Sequence, residues 1–189
     1  QSFHKTLPAM TQTAILHNCS DRVDGRLIRR FMGIYQTSSP SYILMASIDA
    51  CIDTMTAEGH EMFREFTKML ERTRKRLSQC RYICLEKDVN GVFDYDRSKL
   101  IFSTVKSTLT GAQLYDILLE RYHIQMEMES ETYALALAAV GDREEGFERL
   151  CQAIEEIDRE EEQKVKKLDL TGMEERKMDA KSMYCVLNQ

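Results

Sequence analysis

Residues 124–140 read Ile124-Gln125-Met126-Glu127-Met128-Glu129, then Ser130-Glu131-Thr132, then Tyr133-Ala134-Leu135-Ala136-Leu137-Ala138-Ala139-Val140. The first six alternate apolar and polar, the period of a strand with one face in a core and one in water. The next three suit a turn, and the apolar run that follows suits a second strand, so the two are expected to pair as neighbours. Upstream, residues 81–86 and 99–103 also shift toward a period of two on either side of a polar loop containing Gly91, and both read as strands. Between the two strand pairs, Thr110-Gly111-Ala112-Gln113 has the form of a capping box, with Leu109 and Leu114 where a hydrophobic staple places them, which predicts a helix to about Tyr122. After the last strand, Asp142 reads as a helix cap with Glu145 in the reciprocal position, and Phe147, Leu150, Cys151, Ile154 and Ile157 form an apolar stripe. The order from Arg81 is therefore β-β-α-β-β-α, an α+β unit with a small, mainly antiparallel sheet and helices packed on one face.

The chain before Ser78 reads differently. Ser20-Asp21 offers capping side chains ahead of a helix over 23–35, whose stripe is Leu27, Ile28, Phe31, Met32 and Tyr35. Gln36-Thr37-Ser38-Ser39-Pro40-Ser41 breaks it, because a proline disfavours helical geometry at the residue before it. A second helix is expected over 42–56, a bend at Gly59, and a long amphipathic helix through Met62, Phe66, Met69, Leu70 and Leu77. Lys68, Arg72, Arg74, Lys75 and Arg76 lie off that stripe and read as a solvated face. These helices have buried-type faces but little sheet to bury them against, so they read as part of something larger, with domains at 1–78 and 79–163 and a charged tail at 164–189. The start at Gln1 without a methionine, and a charged C-terminal stretch that runs out without a stop, read as the cut ends of a longer protein.

Composition narrows the function. The 189 residues carry 26 Lys and Arg against 31 Asp and Glu, a net charge of −5, which repels a polyanion and makes nucleic acid a poor partner. No run approaches a membrane span, and the first residues lack the order of a secretory signal. Six dispersed cysteines suggest reduced thiols in the cytoplasm rather than a disulfide framework. Cys80 and Cys84 lack the second pair or spaced histidine that zinc requires, so no metal is expected.

The chemistry is concentrated near Gln1. A lysine can form an imine with an aldehyde only through its neutral amine, and Lys5 has His4 beside it, hydroxyls at Ser2 and Thr6, and no charged group downstream until Asp21. On spacing alone, a lysine in a polar turn is an exposed lysine. The run Ser2-Phe3-His4-Lys5-Thr6-Leu7-Pro8-Ala9-Met10-Thr11-Gln12-Thr13, however, resembles the pyridoxal-phosphate attachment segment of the Orn/Lys/Arg decarboxylase family in its S-x-H-K core and the T-Q-T that follows. Thr37-Ser38-Ser39-Pro40-Ser41-Tyr42-Ile43-Leu44-Met45-Ala46-Ser47 resembles that family's T-S-S-P-S-Y-x-L-M-A-S stretch, and weaker likeness extends to about Glu162.

The resemblance implies an aspartate-aminotransferase-like α/β fold, of which this chain holds the end of the large domain and the small C-terminal domain. It implies a pyridoxal 5'-phosphate-dependent decarboxylation of arginine, lysine or ornithine, and so a part in polyamine formation. Lys5 is implied as the residue joined to the cofactor. Ser2 would contact the phosphate, and His4 the phosphate or the substrate. Lys5 and His4 are the candidate proton donors, and the loop of Thr37, Ser38 and Ser39 would approach the active site of a second subunit in a homodimer or higher oligomer. Glu127 and Glu129 are candidates for the substrate's distal cation, although a solvent-facing strand edge accounts for them better. In that family the carboxylate for the pyridine nitrogen and the phosphate loop lie upstream of the lysine, so a missing N-terminal half is the expected partner and the chain alone is expected to be inactive. The competing readings are a non-catalytic dimerisation or regulatory module, and another lyase or aminotransferase reaction on the same scaffold.

Overall fold

The alternation at 124–129 is visible as alternating burial: Met126 is buried and Ile124 and Met128 are half-buried, whereas Gln125, Glu127 and Glu129 are exposed. The computed structural model describes residues 1–36, 39–86 and 93–168. The elements in chain order are α1 (Phe3–Thr6), α2 (Gly25–Tyr35), α3 (Tyr42–Leu77), β1 (Cys84–Leu85), β2 (Lys99–Ser103), α4 (Gly111–Tyr122), β3 (Met128–Glu129), β4 (Tyr133–Leu137) and α5 (Glu144–Leu168). The chain divides into two compact units, Gln1–Met62 and Phe63–Gln189, with the division inside α3.

In the second unit the four strands form one sheet in the order β1-β2-β4-β3, with every neighbouring pair antiparallel. This is the expected β-β-α-β-β-α order with the expected β3–β4 pairing. Leu100 and Phe102 on β2, Ala134 on β4, Leu114 and Leu118 on α4, and Ala153 and Ile154 on α5 are fully buried and form its core. The capping box forms as read: Thr110 Oγ1 accepts from Gln113 N, and the Gln113 side chain accepts from Thr110 N. Gly111 is needed here for close approach, since a Cβ would collide with the carbonyl oxygens of Ser130 and Tyr133.

Several local expectations are revised. Of residues 81–86 only Cys84–Leu85 joins the sheet, because the N–H groups of Arg81, Tyr82 and Ile83 turn instead to the carboxylate of Asp158, at 3.0, 2.7 and 2.8 Å. α3 continues unbroken through Gly59, which is buried and stands where a Cβ would make ordinary contact with Met55. A single glycine costs a helix interior only about 1 kcal/mol, too little to break a helix of good formers. Asp142 accepts from Ala139 N at 2.8 Å and closes the turn ahead of α5, which begins at Glu144.

α3 and α5 are clamped within the second unit by charge. The Arg76 guanidinium forks onto both oxygens of Glu155, at 2.6 and 2.8 Å, and donates to Glu148 at 2.6 Å, while Arg72 reaches Glu144 at 3.4 Å. Arg74 donates to the carbonyls of Arg97 and Lys99 at 2.8 and 3.2 Å. Three of the five cations read as a solvated face are thus structural. The Arg76 guanidinium holds the Glu155 and Glu148 carboxyls below the usual carboxylate range. Glu161 is buried and accepts from the Thr108 N–H and hydroxyl and from Lys164, fixing α5 to the loop before α4.

The first unit is built otherwise. Residues 1–3 run antiparallel to 13–15, with Phe3 N donating to Thr13 O at 3.0 Å and Ile15 N to Gln1 O at 2.9 Å. Gln12, at φ 72°, makes the left-handed step of the turn. α2 starts at Gly25, and its cap is Asp24, which accepts from Arg26 N, in place of the expected Ser20-Asp21. Among its described residues only Phe3 and Cys51 are buried hydrophobic side chains.

Among the described residues no helix is long and apolar enough to cross a membrane, and no group of three or more His, Cys, Asp or Glu could hold a metal ion. Cys19, Cys51, Cys80, Cys84 and Cys151 are free thiols. Burial, reinforced by Asp158 and Glu155, pushes the Cys80 thiol up to about 12, so it stays protonated.

Candidate active site

Lys5 sits on α1, a single helical turn held between the two arms of the N-terminal hairpin. The buried Phe3 ring anchors that turn, while Lys5 is exposed and Ser2 and His4 are half-buried. Ser2 pairs with Ala14 in an isolated antiparallel bridge, which fixes the backbone just ahead of the turn. His4 Nδ1 lies 2.9 Å from the Thr13 carbonyl oxygen. A carbonyl can only accept, so Nδ1 carries the hydrogen, and a neutral ring then keeps its lone pair on Nε2. Thr13 O thus receives both the Phe3 amide and the His4 ring, and the Thr13 hydroxyl donates to Met10 O at 2.7 Å.

Thr13 is 1% exposed and orients His4, a role the sequence did not assign although it lies in the T-Q-T quoted above. Ser47 is the second residue without a forecast role. Its hydroxyl accepts from Met10 N at 2.9 Å and so ties the end of the second motif to the hairpin that carries the first. Their shared place in the two motifs was the available signal.

Ser2, His4 and Lys5 are gathered at one end of the hairpin. Ser39 is exposed just ahead of Pro40, and Thr37 and Ser38 lie outside the described residues. Glu127 and Glu129 are exposed on the polar side of the alternating segment, the solvent face that accounted for them in the sequence. The start of the hairpin carries, within four residues, a hydroxyl, an imidazole whose Nδ1 is held by Thr13 O and a primary amine, and residues 1–20 contain no carboxylate. Such a set can condense with an aldehyde, bind an anionic group and move a proton. It has no acid to pair with a protonated ring nitrogen.

The family model for Orn/Lys/Arg decarboxylase, major domain, matches residues 1–136, from the hairpin through most of β4. The chain belongs to the Orn/Lys/Arg decarboxylase family. It is similar to the arginine decarboxylase of Bacillus subtilis (strain 168), 31% identical over 160 residues that make up 82% of this chain and 33% of that protein. The arginine decarboxylase of Bacillus anthracis is 28% identical over the same length, 82% of this chain and 32% of that protein. The chain therefore spans about a third of the length of the curated relatives it matches. Among solved structures, the Francisella novicida lysine decarboxylase LdcF matches with a TM-score of 0.65 at 16% identity, over 84% of this chain and 27% of that one. The constitutive lysine decarboxylase of E. coli matches with a TM-score of 0.56 at 16% identity, over 72% and 25%. At that identity the likeness is one of fold.

Proposed function

We propose that the chain is part of a pyridoxal 5'-phosphate-dependent decarboxylase acting on a basic amino acid, with Lys5 as the residue that holds the cofactor. The observation that supports this reading is the Met10–Ser47 hydrogen bond, which ties the second family motif to the hairpin that carries the first, the segment holding Ser2, the oriented His4 and Lys5. The donor set suits the cofactor's aldehyde and phosphate ends. Its ring nitrogen needs a carboxylate from elsewhere in the larger protein, so the 189 residues alone are expected to give negligible turnover.

When bound, the cofactor supplies the ring that accepts the electron pair left as the substrate's α-carboxylate departs. Lys5 contributes the amine that joins the aldehyde. His4, with Nδ1 committed to Thr13 O, would meet the phosphate or substrate through Nε2, donating there only as the imidazolium, and Ser2 would offer a hydroxyl to the phosphate. Lys5 or His4 returns a proton to the substrate carbon, a contribution of about two to four decades in rate. The larger protein is taken as a homodimer or higher oligomer in the cytoplasm, with 1–78 closing its large domain and 79–163 forming a small one. The exposed Leu27, Phe31, Ile34 and Tyr35 of α2 support such an assembly, since a patch of this kind needs cover.

The similar curated proteins are named arginine decarboxylases, so arginine is the first substrate to assay, with lysine and ornithine beside it. In the full-length gene product, Lys5→Ala is expected to abolish amine and carbon dioxide release, and His4→Ala to lower it by about 10²-fold or more. An undiminished rate in Lys5→Ala would refute the assignment.

A further inference from the structure

Both backbone groups of Met10, at the bend of the N-terminal hairpin, are held by hydroxyls. Its N–H donates to Ser47 Oγ at 2.9 Å, and its C=O accepts from the Thr13 hydroxyl at 2.7 Å. Thr13 O in turn accepts from His4 Nδ1 at 2.9 Å and from Phe3 N at 3.0 Å. A continuous series of contacts thus runs from Ser47, on the second turn of α3, through Met10 and Thr13 to the His4 ring.

The two ends of this series differ in stiffness. Ser47 belongs to a helix whose own backbone ladder fixes it. The bend has no such support: the 10–13 turn is closed by the Thr13 hydroxyl rather than by the Thr13 amide, and Gln12 within it stands at φ 72°, a conformation that costs a residue other than glycine. Met10 and Gln12 are exposed, so hydrogen bonds rather than packing keep that shape. A carbonyl holds an imidazole N–H only within a limited range of distance and angle, so a bend that shifts Thr13 O frees the ring to exchange tautomers.

We propose that Ser47 is a positioning residue for His4: it holds the Met10 amide, the held bend sets the Thr13 carbonyl, and that carbonyl keeps the ring in its Nδ1–H form. The inference rests on the reading of His4 as a site residue and adds a residue that acts on the site through the ring. The test is NMR of the full-length gene product with isotope-labelled histidine, the His4 ring being assigned by its loss in His4→Gln and its tautomer read on the neutral ring in mildly alkaline solution. Ser47→Ala is expected to lower the excess of the Nδ1–H form about fivefold or more, the equivalent of one hydrogen bond, and Ser47→Thr, which keeps a hydroxyl, to restore it. Thr13→Val is expected to act like Ser47→Ala, and the double variant no more strongly than either alone, because both work through Met10. Ser41→Ala removes the hydroxyl that accepts from Leu44 N at 3.4 Å at the start of α3 and is expected to leave the ring unchanged, which separates positioning from a general loosening of that helix. An unmoved ring in Ser47→Ala, additive effects of the two substitutions, or a ring moved as far by Ser41→Ala overturns the proposal. The readout needs no cofactor, so the ring can respond as stated in a protein whose Lys5 takes no label on borohydride reduction, and the two readings fail separately.

Discussion

The two units put their apolar residues to opposite uses. From Phe63 onward, side chains such as Phe102, Leu114, Leu118 and Ile154 are sealed in a core around the four-stranded sheet, and long-range clamps from Asp158, Glu161 and Arg76 fix the connections. Before it, α2 exposes Leu27, Phe31, Ile34 and Tyr35, and α3 exposes Tyr42, Ile43 and Met45. Yet the first unit carries the candidate chemistry, held by a few hydrogen bonds through Thr13 and Ser47. The contrast teaches that local order and packed stability are separable here: the hairpin orients a histidine ring through a few local hydrogen bonds, whereas the second unit relies on a sealed core.

The sharpest way to break this contrast is to truncate a ring in each unit. Phe102→Ala is expected to cost the sheet about 3–5 kcal/mol, read as lost protection in amide exchange of β2 and β4, because it opens a cavity at a fully buried position. Phe31→Ala, at 52% exposure, should change exchange in α2 by under about 0.5 kcal/mol in this chain. Equal effects would mean that α2 has cover the contrast denies it.

Asp158→Ala is expected to cost about 2–3 kcal/mol in chemical denaturation by leaving the amides of 81–83 without their acceptor, and Asp158→Asn to recover part of that loss through its carbonyl oxygen. Gly111→Ala should cost about 1–3 kcal/mol, since the added methyl meets backbone oxygens that cannot rotate away. Arg76→Met should cost about 1 kcal/mol after solvent screening is allowed for, and this loss should depend on pH. Glu155 is held below its ordinary 4.5, so its contribution is present above that pH and fades as the pH falls through the lower folded value. The gap between Arg76→Met and the parent chain is therefore widest near neutrality and closes in acid; a gap that widened in acid would contradict the clamp.

What the sequence showed depended on how far apart the responsible groups lie. The capping box of Thr110 and Gln113 and the alternation at 124–129 are local, and both appear as read. The strand expected over 81–86 is curtailed by a carboxylate 75 residues away from Ile83, which no window of sequence displays. The bend at Gly59 fails because the helix formers on either side outweigh one glycine. At the candidate site, Lys5, His4 and Ser2 stand out in the sequence through their motif alone, and their roles remain part of the proposal. The acceptance of two donors by the Thr13 carbonyl, and of the Met10 amide by Ser47, needed the folded chain.

The most direct measurement is borohydride reduction of the full-length gene product in the presence of pyridoxal phosphate, followed by peptide mapping. The account predicts that the label falls on the peptide containing Lys5 at near one equivalent per chain. Label spread over surface lysines, with Lys5 no more modified than Lys68 or Lys106, would contradict it.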